Sequence, residues 1–199
     1  MSTSLRLFVG VPLSGAARAA AADAAAPWRD VAPRLKWVDP GLYHLTLRFL
    51  GDCTPAQEGA LRDALAPALA ALPPVDLRLG AALRLPSGRG ARVLALACAE
   101  GVPALSAVAR EVEAVCRRLG HAPETRPFKA HLTLARARQG ESLPPALTGA
   151  LDAPPQPAWR ASEVLLFESV LRPGGPEYRR RQSFPLGGDA ATRKDGSTA

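Results

Sequence analysis

Two histidines of this chain stand in front of the same three residues. The tetrapeptide "HLTL" begins at His44 and again at His131, and the chain contains three histidines in all. The third, His121, follows Gly120 in a polar stretch without the motif, so we interpret it as a surface histidine. Imidazole titrates near neutral pH, so one histidine can accept a proton while the other donates one. The repeated motif therefore predicts a two-histidine acid–base site.

Strand alternation would give each motif a polar face. Alternate side chains of a β-strand share a face, so His44 and Thr46 point one way while their leucines point into a core. The same holds for His131 and Thr133. Threonine hydroxyls can donate to phosphoryl oxygens. No carboxylate cluster, phosphate-binding glycine loop or metal-ligand spacing accompanies them. This combination favours metal-free phosphodiester cleavage or transfer, with no cofactor.

A single motif would carry little weight. A histidine in a strand is more often a hydrogen-bonded structural residue than a catalyst, and threonine is an ordinary strand former. The offset of 87 residues between the motifs recurs elsewhere, however. "LFVGV" from Leu7 falls on "LALAC" from Leu94, and "DLRLGAALRLP" from Asp76 falls on "EVLLFESVLRP" from Glu163. Three elements thus share one ungapped register, which favours a shared functional site.

The repeat predicts the architecture. The pattern of each half predicts a strand, a helix, the HLTL strand and a further strand pair, in that order. The two predicted helices cover 14–26 and 102–119. We expect an α+β fold in which two pseudo-twofold lobes each contribute an antiparallel sheet, with helices outside and a central cleft between the sheets. Residues 1–186 form one bilobal domain of interleaved lobes, and the small, polar segment 187–199 is predicted to be a disordered tail.

Composition limits the setting. The formal net charge is +7, and all but three of the 25 basic residues are arginine, which permits an anionic or nucleic-acid partner without proving one. The widely spaced Cys53, Cys98 and Cys116 read as reduced, structural thiols. No basic leader precedes a long apolar run, and no window resembles a membrane span. We expect a cytoplasmic protein that is not bound to membranes.

Four segments carry a resemblance to a known family. "RLFVGVPL", "KWVDPGLYHLTLRFLGD", "RPFKAHLTLARAR" and "FESVLRPGGPEYRRRQSFPL" resemble the 2H phosphoesterase superfamily, in particular its RNA 2′,3′-cyclic phosphodiesterase branch, once called 2′-5′ RNA ligases. The resemblance implies that His44 is the proton donor and His131 the proton acceptor. Thr46 and Thr133 would hold the non-bridging phosphate oxygens, and Arg136 matches a family arginine that we expect to contact phosphate.

The residues themselves leave several points open. The symmetry of the motifs permits either histidine to be the acid. Arg48 has the strand parity to share the face of the first motif, so it is a second candidate for phosphate contact. Phe128 and Tyr43 lie beside the histidines in sequence and could stack on a base or pack in the core. Ala130 stands where the family often has proline, which affects loop stiffness more than the reacting groups.

Three functions follow as hypotheses. The leading one is metal-independent hydrolysis of RNA 2′,3′-cyclic phosphate ends to 2′-phosphomonoesters. The second is 2′-5′ RNA ligation in the same cleft, with a ribose hydroxyl in place of water. The third is an RNA- or nucleotide-binding module without catalysis, although such a module needs no matched acid and base. The expected partner is RNA with a cyclic phosphate end; no protein partner is implied, and a monomer is expected.

Overall fold

The computed structural model describes residues 4–87, 90–147, 153–173 and 175–187. The regular elements, in chain order, are β1 (Leu5–Pro12), α1 (Gly15–Val31), β2 (Lys36–Trp37), β3 (His44–Cys53), α2 (Pro55–Ala70), β4 (Val75–Leu85), β5 (Val93–Glu100), α3 (Val102–Arg118), β6 (His131–Arg136), β7 (Ala158–Ala161), β8 (Glu163–Arg172) and β9 (Gly175–Pro185). Two short 3₁₀ turns cover Pro40–Leu42 and Pro145–Leu147. The predicted tail lies outside the described residues except for Gly187.

Local signals explain where the helices begin and end. The Ser14 side chain caps α1, and Thr54 and Gln57 form a capping box at the start of α2. The predicted end of α3 before Gly120 is confirmed, since that glycine has a φ of 84°. The first helix runs longer than predicted: it continues through Pro27, because Trp28 on its inner face is buried in the core.

The strands form one curled antiparallel sheet. Its order is β7-β4-β5-β6-β3-β1-β8-β9, and β2 pairs with β6. The α+β class is confirmed, but the prediction of two separate sheets is wrong. The HLTL strands β3 and β6 pair directly through Leu45 and Leu132, both almost fully buried, so the two halves join where the motifs meet.

The leucines of the motifs anchor one face of the sheet in the main core. Leu45 and Leu47 of β3, and Leu132 and Leu134 of β6, are all buried in one hydrophobic cluster with the inner faces of the helices. The prediction that these leucines point into a core is confirmed. Since the threonines and histidines alternate with them, the opposite face of the sheet is left to carry the polar groups.

A β-bulge interrupts the alternation in β3. Thr46 and Arg48 pair with adjacent residues of β1, so Leu47 has no partner in that ladder. A bulge places two consecutive side chains on nearly the same face and shifts those that follow. The face that begins with His44 and Thr46 therefore continues at Phe49.

The same bulge occurs in β6. Thr133 and Ala135 pair with adjacent residues of β5, so Leu134 has no partner in that ladder. Ala135 is fully buried, and Arg136 joins the face of His131 and Thr133. We call the face that carries the motif histidines and threonines the cleft face. In both motif strands its next side chain lies five residues after the histidine, whereas simple alternation would place it four residues after.

The predicted ungapped register is wrong. The two helices begin 87 residues apart, at Gly15 and Val102, as do the two motifs. His44, however, pairs with Pro12 of β1, whereas His131 pairs with Ala97 of β5. The separation between Pro12 and Ala97 is two residues shorter than the offset between the motifs. A slip of two residues keeps every side chain on its own face, so burial tolerates it.

The cysteines are buried or half-buried free thiols. Burial raises the pKa of Cys98 and of Cys116 to about 11, which keeps these thiols protonated and unreactive. Their environment supports the structural interpretation. Within the described ranges, no helix combines the length and the apolar character needed to cross a membrane.

Candidate active site

A small recess opens on the cleft face where β3 and β6 meet. Its lining residues are Val38, Leu42, His44, Thr46, Phe49, Thr133, Arg136 and Tyr178. Four of the residues singled out from the sequence are therefore brought together. His131 is half-buried on the same face and lies beside this lining rather than within it.

The ring of His44 is held by two hydrogen bonds. Its Nδ1 lies 2.8 Å from the carbonyl oxygen of Leu42, and its Nε2 lies 3.0 Å from the Thr46 hydroxyl oxygen. A carbonyl can only accept, so Nδ1 donates and carries the proton of the neutral ring. The neutral Nε2 then accepts from the hydroxyl and is the nitrogen that can exchange a proton.

His131 is held in the same way. Its Nδ1 donates to the carbonyl oxygen of Lys129, 2.8 Å away, which again lies two residues before the histidine. The ring tautomer is therefore the same as that of His44, and Nε2 is the nitrogen that can accept or donate a proton. In both cases the carbonyl two residues earlier fixes the imidazole, and within the described residues no carboxylate hydrogen-bonds to either ring.

Both histidines have lowered pKa values. Burial is the largest cause for each, because it disfavours the charged imidazolium, and the positive charge of Arg136 acts in the same direction. The hydrogen bonds to Leu42 and Lys129 partly oppose this by favouring the protonated ring. These shifts favour neutral rings at pH 7, and a bound anion would raise both pKa values.

An aromatic wall surrounds His44. The ring centroids of Phe8, Tyr178 and Phe167 lie 4.8, 5.3 and 5.9 Å from that of His44, and Phe8 stacks on Phe167 at 4.9 Å. These rings form a small apolar cluster with Leu165, separate from the main core. The wall explains why burial dominates the pKa shift of His44.

Tyr178 was not identified from the sequence. It lies on β9, paired with Ser169 of β8, and it reaches His44 only because β8 pairs with β1. No local pattern marks "PEYRRRQ" as part of a site. The signal that could have identified it is its position in one of the four segments that resemble the family. The ring meets His44 edge-on, at an interplanar angle of 84°.

Arg136 is exposed at the edge of the recess. It lines the recess together with His44 and Tyr178, and its positive charge acts to lower the pKa values of both motif histidines. No carboxylate of the described residues forms an ion pair with it. It is therefore available to an anion, and its contact with phosphate stays a prediction.

The prediction for Arg48 is wrong. The bulge at the preceding leucine turns its side chain to the helical face, where it is only 10% exposed. Its Nε lies 2.8 Å from a Glu113 oxygen, a second pair to Glu124 spans 3.6 Å, and it donates to the carbonyl of Ala122. Arg48 thus ties α3 to the loop that precedes His131 and makes no contribution to the recess.

The two aromatic candidates also differ from expectation. Tyr43 is 3% exposed and packs in the main core, so its prediction as a substrate contact is wrong; burial raises the pKa of its hydroxyl. Phe128 is half-buried against that core and does not line the recess, and its contact with substrate stays a prediction. Phe49, which the sequence analysis missed, is 51% exposed on the cleft face, 5.8 Å from Phe8.

The chain is similar to members of one protein family over most of its length. A family model described as the 2′-5′ RNA ligase superfamily matches residues 17–171. A protein of Thermus thermophilus named RNA 2′,3′-cyclic phosphodiesterase is 34% identical over 196 residues, covering 93% of this chain and 92% of its own length. A Geobacillus stearothermophilus protein with the same name is 31% identical over 90% of this chain, which spans only 56% of that relative.

Solved structures share the fold. The crystal structure of TT0787 of Thermus thermophilus superposes with a TM-score of 0.75 at 31% identity, covering 93% of this chain and all of that one. Escherichia coli LigT complexed with 3′-AMP superposes with a TM-score of 0.72 at 25% identity, covering 92% of this chain and 99% of its own. The likeness extends over nearly the whole described chain.

The role of Arg48 predicts a stability effect. Arg48→Met leaves Glu113 without its cation in a poorly hydrated place, so we expect a loss of about 3 kcal/mol in the free energy of unfolding, measured in urea. Arg78→Met is the control, since the Arg78–Glu100 pair is about half exposed and should cost less than about 1 kcal/mol. Equal losses for both variants would contradict the assignment.

The packing of Gly10 predicts an effect on one histidine. A Cβ added there would lie 3.0 Å from the Leu45 carbonyl oxygen and 3.2 Å from Cδ2 of His44. Gly10→Ala should therefore displace the His44 ring and raise its pKa toward the ordinary value, while His131 titrates as before, as followed by NMR. Gly59→Ala, with nothing within 4 Å of the added carbon, should move neither. An unchanged His44 titration in Gly10→Ala would refute this packing argument.

Proposed function

This chain belongs to the 2′-5′ RNA ligase superfamily, and we propose that it hydrolyses RNA 2′,3′-cyclic phosphate ends to 2′-phosphomonoesters by a metal-independent two-histidine mechanism. The observation that carries the proposal is the matched pair of imidazoles, each with Nδ1 bound to a main-chain carbonyl and Nε2 left to exchange a proton. The names of the relatives at 28–34% identity support the same reaction.

The proposal includes two lobes related by a pseudo-twofold axis, within a single domain over 1–186. The sheet order supports it: outward from the central pair β6–β3, the neighbours are β5 and β1, then β4 and β8, then β7 and β9. Helices α1 and α3 have 17 residues each and stand in the same position of each half. Two similar halves would present one histidine each to a shared phosphate.

The reaction is an in-line displacement at phosphorus. His131 Nε2 accepts a proton from water, whose oxygen forms a bond to phosphorus as the bond from phosphorus to O3′ breaks. His44 Nε2 donates a proton to the departing O3′, and the phosphate remains on O2′. His131 then releases its proton to solvent and His44 takes one up, which restores the starting state. General acid–base catalysis of this kind contributes about 10²- to 10⁴-fold in rate.

The aromatic wall supports the assignment of acid and base. The leaving O3′ remains part of the nucleoside, while the attacking water approaches from the opposite side of phosphorus. The acid must therefore stand on the nucleoside's side. On the side of His44, Phe49 and Tyr178 line the recess and offer an apolar surface to a nucleoside, backed by the buried rings of Phe8 and Phe167. This favours His44 as proton donor and His131 as proton acceptor.

The remaining polar groups suit the charged phosphoryl oxygens. Thr46 and Thr133 line the recess on opposite strands, and Arg136 stands at its edge without a carboxylate partner. In this proposal they hold the non-bridging oxygens as negative charge grows in the transition state. LigT, which shares the fold, is described in complex with 3′-AMP, and a nucleotide ligand suits the same surface.

Ligation is the second candidate, favoured by the family description. A 5′-hydroxyl in place of water would attack the same phosphorus and form a 2′-5′ bond, with the same two proton transfers. It requires a second RNA end held in line, because a dilute hydroxyl competes poorly with water unless it is positioned.

The direct test is incubation of a short RNA with a 2′,3′-cyclic phosphate end in excess EDTA. Wild type should produce a 2′-phosphate, and His44→Ala and His131→Ala should each lower kcat by about 10²-fold or more, because each removes one proton transfer. Chromatography against 2′- and 3′-phosphate standards identifies the product.

His121→Ala is the control, since His121 does not line the recess, and it should retain wild-type activity. A wild type that binds RNA but leaves the cyclic end intact would contradict the hydrolase and favour a binding module. A 3′-phosphate product would contradict the placement of the leaving oxygen.

The aromatic wall generates a second prediction. Phe49→Ala should raise the KM for a cyclic-ended RNA about tenfold with little change in kcat, because base stacking on an aromatic ring contributes about 1–3 kcal/mol to binding. Phe49→Trp should restore binding. Leu171→Ala, which removes an exposed apolar side chain elsewhere, should have no effect; a similar KM for Phe49→Ala and wild type would exclude stacking there.

A further inference from the structure

Arg136 has a cationic neighbour on the same face. The short strand β2 pairs with β6 so that Lys36 lies opposite Arg136. Opposed residues of a ladder project to the same face, so the lysine side chain stands next to the recess that Arg136 lines. Both residues are exposed.

Three more arginines adjoin this pair. Arg138 follows two residues after Arg136, and its Nε donates to the carbonyl oxygen of Arg34 at 3.1 Å. Arg92 donates through Nη2 to the carbonyl oxygen of Arg138 at 3.0 Å. We call Arg34, Lys36, Arg92 and Arg138 the basic strip; all four are exposed.

No ion pair within the described residues engages the basic strip. Among residues 4–87, 90–147, 153–173 and 175–187, ion pairs with carboxylates engage other arginines, such as Arg48, Arg78, Arg160 and Arg181, and none engages the strip. Gathered like charges repel one another and destabilise the fold unless an anion offsets them. The strip therefore has the character of a binding surface for a polyanion.

We propose that the basic strip binds the phosphodiester backbone of the RNA strand upstream of its cyclic end. This inference rests on the proposed function, because the recess would hold the terminal phosphate and the strip begins at the recess edge. Adjacent strands are about 4.8 Å apart, so the strip lies within reach of the nucleotides that precede the terminal one. The protein thereby selects RNA ends over cyclic mononucleotides.

The test compares two substrates. For the double variant Lys36→Gln/Arg138→Gln, kcat/KM on a tetranucleotide with a 2′,3′-cyclic end should fall about tenfold at low salt. On cytidine 2′,3′-cyclic phosphate it should stay within about twofold of wild type, since a mononucleotide has no upstream backbone. The salt slope of log(kcat/KM) for the tetranucleotide should become shallower by about 1.4, which corresponds to two lost phosphate contacts on a single strand.

The control removes the same charge elsewhere. Arg110→Gln/Arg117→Gln alters two exposed arginines of α3, on the helical side of the sheet, and should leave both substrates and the salt slope unchanged. Lys36→Gln alone should produce about half of that change in the salt slope. This single variant keeps the proposal testable if the double variant misfolds. Equal losses on both substrates, an unchanged tetranucleotide, or an equal loss in the α3 control would each overturn the proposal.

A binding measurement separates this inference from the proposed function. Fluorescence anisotropy with a labelled tetranucleotide ending in a 2′-phosphate needs no turnover. If wild type opens neither cyclic substrate, the hydrolase proposal fails, and the strip is still judged by this titration. Weaker binding in the double variant than in the α3 control supports the strip; equal binding in all three proteins refutes it.

Discussion

One β-bulge, repeated in both motif strands, decides which side chains reach the cleft. Leu47 and Leu134 have no partner in the ladders with β1 and β5, and the alternation of faces resumes one residue later than it otherwise would. Because of that shift, Phe49 and Arg136 complete the faces begun by the histidines and threonines. The buried leucines hold the bulges in place, so the core and the site depend on the same feature.

The bulges also make the cleft asymmetric. The position five residues after each motif histidine is aromatic on the first strand and cationic on the second. Phe8, Phe167 and Tyr178 extend the apolar character around His44, whereas Lys36 and its neighbours extend the positive charge beyond Arg136. A cleft built from two similar motifs thus has an apolar side and a cationic side, which suits the nucleoside and the phosphates of the proposed RNA substrate.

Much of this could be predicted from the sequence, since the helices, the buried leucines and the recess threonines follow from apolar periodicity and the repeated motif. Arg48 was misplaced and Phe49 was missed because a bulge depends on the partner strand, and no local pattern reveals that partner. Tyr43 could be assigned to core or cleft only once the chain was folded. Tyr178 reaches His44 through two strand pairings between distant segments, which lie beyond any short-range signal.

The central claim is that two histidines divide acid and base catalysis between them. The most direct measurement is the pH dependence of kcat/KM on a cyclic-ended RNA in EDTA, for wild type and the residual activities of His44→Ala and His131→Ala. The wild-type profile should be bell-shaped; its rising limb should disappear without His131, the proposed base, and its falling limb without His44, the proposed acid. Variants that keep both limbs would contradict it.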